Sequence, residues 1–340
     1  MIVKQIAISP AVKQPKAKHI NIYKSNNYKK QFKAMKRRKI LSGACMHIYQ
    51  RSINGFNIFY EEEDYILFYT ILAVTARKYN IVLLEFCMMI NHVHILLADC
   101  NRAICSFMRD VFSIYACEFN QSCGRSGQLF HKSFGSAIKK DDKRIRNTII
   151  YIGNNPVEKG MCTFAEEHKW GFLAYIGNRY PFSEEIPVRY CSDKLRQAYN
   201  EVKENVALNK IMHYGQIRRL YKGLSEKEKA MLTDYIISSY YPFDDQSLIE
   251  YFGNAEKMMT AIHSSTGAEY DIKEAYDHET DTIYERFISI IMEKCKYTSV
   301  KRVITLPLDE KMRLAAILQK HTGASTRQIC RFLHINTENH

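Results

Sequence analysis

His92 and His94 stand one residue apart in the stretch MMINHVHILLADC, inside a run that is otherwise apolar. Side chains alternate faces along a β-strand, so the two imidazoles would share one face while Val93 and Ile95 point to the other. Such a pair forms a two-toothed claw for a metal ion. A lone histidine in an apolar strand is most often a satisfied core residue, so the pair needs support from elsewhere in the chain. A second pair supplies it. Tyr151 and Asn155 lie four residues apart in DDKRIRNTIIYIGNNP, one above the other on a single helix face. Pro156 disfavours α geometry at Asn155, which places that residue at a frayed last turn. A phenol can act as a covalent nucleophile on a phosphodiester held by a metal ion, provided this helix end faces the sheet that bears the histidines.

The elements that must position these groups read as follows. ACMHIYQRS alternates like a strand, and EEEDYILFYTILAVTARKYN has helical apolar spacing with acids in its first turn and Arg77 and Lys78 near its end. The cluster Glu61, Glu62, Glu63 and Asp64 is thereby explained by the helix dipole without invoking acid–base chemistry. IVLLEFCMMI and HVHILLA read as strands joined by a turn at Ile90 and Asn91. A second helix follows in NRAICSFMRDVFSIYACEFNQSCG, capped by Gly124. The basic strand QLFHKSFGSAIKK leads to a third helix that Asp141 or Asp142 can cap. The order β-α-β-β-α-β-α predicts an α+β, ferredoxin-like fold, with an antiparallel sheet of about four strands and helices on one face.

Composition narrows the class. The chain has 340 residues, 46% hydrophobic and 25% charged, as expected of a globular protein with a sizeable core. No apolar run is long enough to span a bilayer, and the lysine-rich start lacks the apolar segment of a secretory signal. The ten cysteines are dispersed without a Cys-x-x-Cys pair, which predicts reduced thiols and a cytoplasmic protein. Residues 1–40 carry 12 Lys or Arg and no acid, so nearly all of the formal +13 charge sits in this arm. Tyr23, Tyr28 and Phe32 are interleaved with its lysines. Cations that displace counterions and rings that stack on bases suit a nucleic acid. A solubilising tail or a membrane-surface segment would also fit that composition.

RSINGFNIFYEEED, MMINHVHILL, GRSGQLFHKSF, DDKRIRNTIIYIGNNPVEKGM and HKW together resemble, in order and spacing, the blocks of the single-tyrosine His-hydrophobic-His (HUH) transposases. The branch is that of the REP-associated tyrosine transposases and related insertion-sequence enzymes, and the resemblance covers roughly residues 41–175. It implies that His92, His94 and Asn155 ligate a divalent ion. It also implies that Tyr151 attacks single-stranded DNA at a hairpin-bearing end, leaving a 5′-phosphotyrosine and a free 3′-OH. A phenol titrates near 10 in water, so it must lose its proton during or before attack. Imidazoles on general grounds favour Zn, Cu or Ni, whereas the resemblance points to Mg or Mn. No Walker loop or dinucleotide motif is present. Spacing within one chain is equally compatible with a monomer and with a homodimer that exchanges the tyrosine helix.

Several positions depart from the family pattern. FHKSFGS has His131, Ser133 and Gly135 where relatives carry an aromatic and Gln followed by Arg-Phe-Lys-Ser, and Gly153 stands where a His is common. The inherited DNA contacts are therefore open, with Arg51, Arg125, Lys132, Lys139 and Lys140 as candidates for phosphate binding. The segments expected are a basic arm over 1–40, a catalytic domain over 41–175, a helical accessory region over 176–300 and a tail over 301–340. In that tail ASTRQICRFLHIN resembles the first helix and turn of a helix-turn-helix, so it is either incomplete or a pair of helices that only packs. A DNA-nicking, strand-transferring enzyme is the favoured function. The alternative is a catalytically inactive DNA-binding regulator descended from one. A zinc hydrolase unrelated to DNA is a weaker third reading, opposed by the basic arm and the lack of a nearby general-base Glu.

Overall fold

The computed structural model describes residues 44–98, 103–131, 133–264, 279–295 and 297–336. The basic arm and Lys132 lie outside them. Among the described residues, β1 (Cys45–Arg51), β2 (Val82–Met88), β3 (His92–Ala98) and β4 (Gly135–Lys139) form one sheet of order β2-β3-β1-β4. Every pairing is antiparallel. This is the α+β arrangement that the element order predicts.

Period-two alternation gives the sheet two different faces. Met46 and Ile48 of β1 and Val93, Ile95 and Leu97 of β3 join a core closed by α1 (Glu62–Tyr79) and α2 (Ile104–Cys123). The opposite face carries Cys45 and Leu96, and the third helix, α3 (Asp142–Glu158), covers it with Ile145, Ile149 and Ile152. The first two helices thus pack on one face as expected. The third takes the other, because its apolar stripe and the second face of the sheet each need cover. The sheet is buried on both sides.

Local signals place the helix ends. Asp141 caps α3 through its carboxylate, which accepts from the Arg144 amide, and Gly124 ends α2 in the left-handed region. Pro156 does not fray α3, contrary to the expectation from sequence. The helix continues to Glu158, with Asn155 and Pro156 both buried inside it. The proline supplies no amide to the Ile152 carbonyl, and the Lys159, Gly160 and Met161 amides close the last turn on Asn155, Val157 and Pro156 carbonyls.

Among the described residues, helices make up the rest: α4 (Asp193–Ala207), α5 (Tyr214–Tyr221), α6 (Glu226–Tyr240), α7 (Asp245–Glu250), α8 (Ala255–Ser264), α9 (Ile283–Cys295), α10 (Leu308–Thr322) and α11 (Thr326–Leu333). The described residues fall within one compact unit. Two contacts bear on the site. Met258 and Ile262 of α8 cover the outer side of α3, and Asn154 donates to the Ile262 carbonyl at 2.7 Å, which fixes the rotation of α3 about its axis. The HKW motif pins the chain after α3 onto α1 and β2. His168 pairs with the Met88 carbonyl at 3.0 Å, Lys169 with Glu62 at 3.1 Å, and Trp170 stacks on Tyr65 at 4.6 Å. Burial pushes His168 down to about 4, so it is a neutral structural donor.

The tail does not stand apart as a DNA-reading module. α11 buries Ile329, Phe332 and Leu333, and the loop after β1 clasps it. The Asn57 amide donates to the Arg331 carbonyl, the Tyr60 hydroxyl to Phe332, and His334 pairs with the Asn57 carbonyl at 2.8 Å. The nine described cysteines are free thiols, and no described helix is long and apolar enough to cross a membrane.

Candidate active site

Strand register builds the site on the face that α3 covers. His92 lies opposite Arg51 and His94 opposite Tyr49 across the β1–β3 pair, so His92, His94, His47, Tyr49 and Arg51 all share this face. Their burial is deep: His47 and His94 are fully enclosed and His92 is 6% exposed. The two imidazoles of the pair meet edge-on with centroids 4.9 Å apart. Above them α3 brings the ring of Tyr151 edge-on to His94 at 5.5 Å and against His47 at 5.9 Å. Asn155, one turn further on, is buried. The structure therefore brings together the tyrosine and the histidine pair, which are more than fifty residues apart in the chain.

Each histidine is held through its Nδ1 atom. His92 Nδ1 is 2.7 Å from Asn91 Oδ1, and Asn91 is itself anchored because its Nδ2 donates to the Gly55 carbonyl. The oxygen of Asn91 can only accept, so a neutral His92 donates from Nδ1 and keeps the lone pair on Nε2. His94 Nδ1 lies 3.1 Å from His47 Nε2. The same division there, with Nδ1–H of His94 donating, leaves the lone pair of His94 on Nε2. Outer groups that bind one ring nitrogen and free the other for coordination are typical of histidine metal ligands. The Nε2 atoms of His92 and His94 are the donors that this hydrogen bonding leaves available. Among the described residues no group of three or more His, Cys, Asp or Glu side chains forms a metal site.

His47 and Asn91 are the site residues that sequence reasoning did not single out. His47 falls on the polar register of β1, alternating with Met46 and Ile48. That register was the only signal available, since its contact with His94 arises from pairing between distant strands.

The remaining sequence candidates divide. Arg51 is half-buried beside His92. The Arg125 guanidinium is taken up by the loop after α2, donating to Asn120 at 2.8 Å and to the Gln128 carbonyl at 2.6 Å. Lys139 is only 2% exposed, opposite Cys45 under α3, and Lys140 is the exposed member of that pair. Two of the four departures, Gly135 and Gly153, have tight surroundings. A Cβ at Gly135 would sit 1.8 Å from Cε1 of Tyr49, so glycine makes room for the ring beside His94. At Gly153 a Cβ would meet Leu173 at 3.2 Å and Glu85 at 3.4 Å, so a larger side chain there would have to displace both.

Glu85 itself is a buried acid. A register shift between Leu83 and Glu85 in β2 turns it under α3, where neither carboxyl oxygen has a hydrogen-bond partner among the described residues. Burial raises its pKa well above the ordinary range, so the folded protein holds it protonated. Below about pH 4.3 both the folded and unfolded chains carry the proton. Above it the unfolded chain releases the proton while the folded one keeps it, so stability falls by up to about 1.4 kcal/mol per pH unit. Wild type is expected to lose melting temperature between pH 5 and 8 relative to Glu85→Gln. Parallel melting curves for the two proteins across that range would contradict this placement of the acid.

Comparison with known proteins agrees with the motifs. Residues 41–155 match the family model described as Transposase IS200 like, and this segment holds the whole sheet, His92, His94, Tyr151 and Asn155. A solved REP-associated tyrosine transposase bound to a REP hairpin is similar at 16% identity, over 46% of this chain and 90% of that one, with a TM-score of 0.37. No curated protein sequence matches significantly.

Proposed function

We propose that this transposase domain nicks and rejoins single-stranded DNA at hairpin-bearing element or repeat ends, with Tyr151 as nucleophile. The observation that carries the reading is the packing of the Tyr151 ring against His94 and His47, inside the segment that matches the family. His92, His94 and Asn155 would hold a divalent ion, Mg or Mn, whose chemistry is to polarise the phosphoryl oxygens and neutralise charge in the transition state. The deep burial of these donors excludes competing water, and α3, locked by Asn154, sets the approach of the phenol. In the step itself the Tyr151 oxygen forms a bond to phosphorus and releases its proton. The bond to the 3′-oxygen breaks, and that oxygen takes up a proton as a free 3′-OH. The 5′-phosphotyrosine ester keeps the energy of the broken bond for attack by another 3′-OH. Arg51, Lys140 and the basic arm would neutralise neighbouring phosphates.

The test is incubation of the full chain with labelled single-stranded oligonucleotides from the flanks of its gene, with Mg²⁺ or Mn²⁺. A denaturation-resistant adduct that requires the ion and maps to Tyr151 by peptide mass spectrometry is the expected result. Tight binding to those ends without an adduct would assign the chain to the regulators instead.

A further inference from the structure

A cavity of about 380 Å³ lies where the end of β1 meets the C-terminal helix α11, and its walls are basic. Arg51 and His131 come from the sheet domain, Arg327 and Arg331 from α11, and Ser52 and Asn54 from the loop after β1. Ser52 is fully buried and its hydroxyl has no hydrogen-bond partner among the described residues. An enclosed hydroxyl without a partner is costly unless a ligand completes it. The wall is a built one. Gly55, at φ +67°, has no Cβ where Arg331 Nε would be 3.1 Å away, so the guanidinium can lie against the loop, and Asn54 donates to Asn336 at 2.7 Å to latch loop and tail together. Glu279 lies 3.5 Å from Arg331 at the edge of this wall. Arg51 is also the residue directly across from His92, so the cavity adjoins the histidine pair.

We infer that this cavity binds one backbone phosphate of the single-stranded DNA whose scissile phosphate occupies the site under α3. The inference rests on the DNA reading above and adds to it a role for the tail: α11 grips the backbone beside the chemistry and reads no bases. Planar guanidinium forks from both sides and a buried hydroxyl donor suit the tetrahedral oxygens of a phosphodiester. Such a contact positions the strand without carrying sequence information.

Fluorescence anisotropy of the full chain with a flanking oligonucleotide, without divalent ion and over a salt series, tests it. Arg327→Gln and Arg51→Gln are each expected to weaken binding about fivefold, equally for matched and scrambled oligonucleotides. Because the two arginines share one phosphate, the double variant should reduce the slope of log K against log salt by about 0.7, where two separate sites would give about 1.4. Arg327 is exposed, so its single variant decides the matter if Arg51→Gln no longer melts cooperatively. Variants that bind within twofold of wild type, or a slope change of two phosphates, overturn the pocket while leaving the DNA reading intact. Failure of wild type to bind any oligonucleotide overturns both.

Discussion

Replacing Tyr151 by Phe should abolish covalent adduct formation and lower nicking by on the order of 10⁴ or more, because the proposed reaction loses its nucleophile outright. DNA binding and folding should survive. The phenylalanine ring keeps the edge-on contacts with His94 and His47, and α3 remains fixed by its apolar stripe and by Asn154. Separate measurements of adduct yield and oligonucleotide affinity distinguish this from a general loss of structure. His47→Ala gives a useful contrast. It leaves the nucleophile in place but removes the partner that orients His94, so it should weaken Mn²⁺ binding about tenfold or more, with partial recovery in His47→Gln. If Tyr151→Phe retained the adduct, one of the other 22 tyrosines would have to supply the nucleophile, and the arrangement above the histidine pair would need a different explanation.

The parts of this site that depend on local spacing were legible in the sequence. The His92–His94 pair, the Tyr151–Asn155 pair and the capped start of α3 each follow from the period of one element and its flanking residues. What was hidden depends on residues brought together from far apart. His47 reaches His94 through strand pairing, Glu85 is turned inward by an irregularity in β2, and Gly153 is small because α3 comes down on that acid. Pro156 misled for a related reason. Its local preference against a helix is real, but burial of the helix end outweighs it. The placement of α3 on the second face of the sheet is also a tertiary result, since the order of elements alone does not say which face a helix covers.

The helical remainder shows the same contrast, and it carries the second large effect. The acids at the start of α1 suit the helix dipole, yet one of them does far more. Asp64 is fully buried and accepts from Lys301 Nζ at 2.6 Å, from the Tyr214 hydroxyl at 2.5 Å and from the amides of Tyr60 and Glu61. Lys301, itself 1% exposed, also lies 3.9 Å from the centre of the Tyr214 ring and 3.3 Å from Ser122. This one pair therefore joins the N-terminus of α1 to α2, to α5 and to the turn of Val300–Thr305 that leads into the tail. Desolvating both charges is expensive, so the pair as a whole adds little net stability, but removing one partner strands the other in the interior. Asp64→Ala should cost about 3–5 kcal/mol in chemical denaturation, a large share of the roughly 5–15 kcal/mol that holds a domain together. Lys301→Met should cost less. The carboxylate then keeps the Tyr214 hydroxyl and two backbone donors, whereas a bare ammonium keeps only Ser122, Glu61 at 3.8 Å and the faces of two rings. The order of the two variants is the decisive observation. Equal or reversed losses would mean that the Tyr214 hydroxyl and the two backbone amides do not satisfy the Asp64 carboxylate once Lys301 is gone.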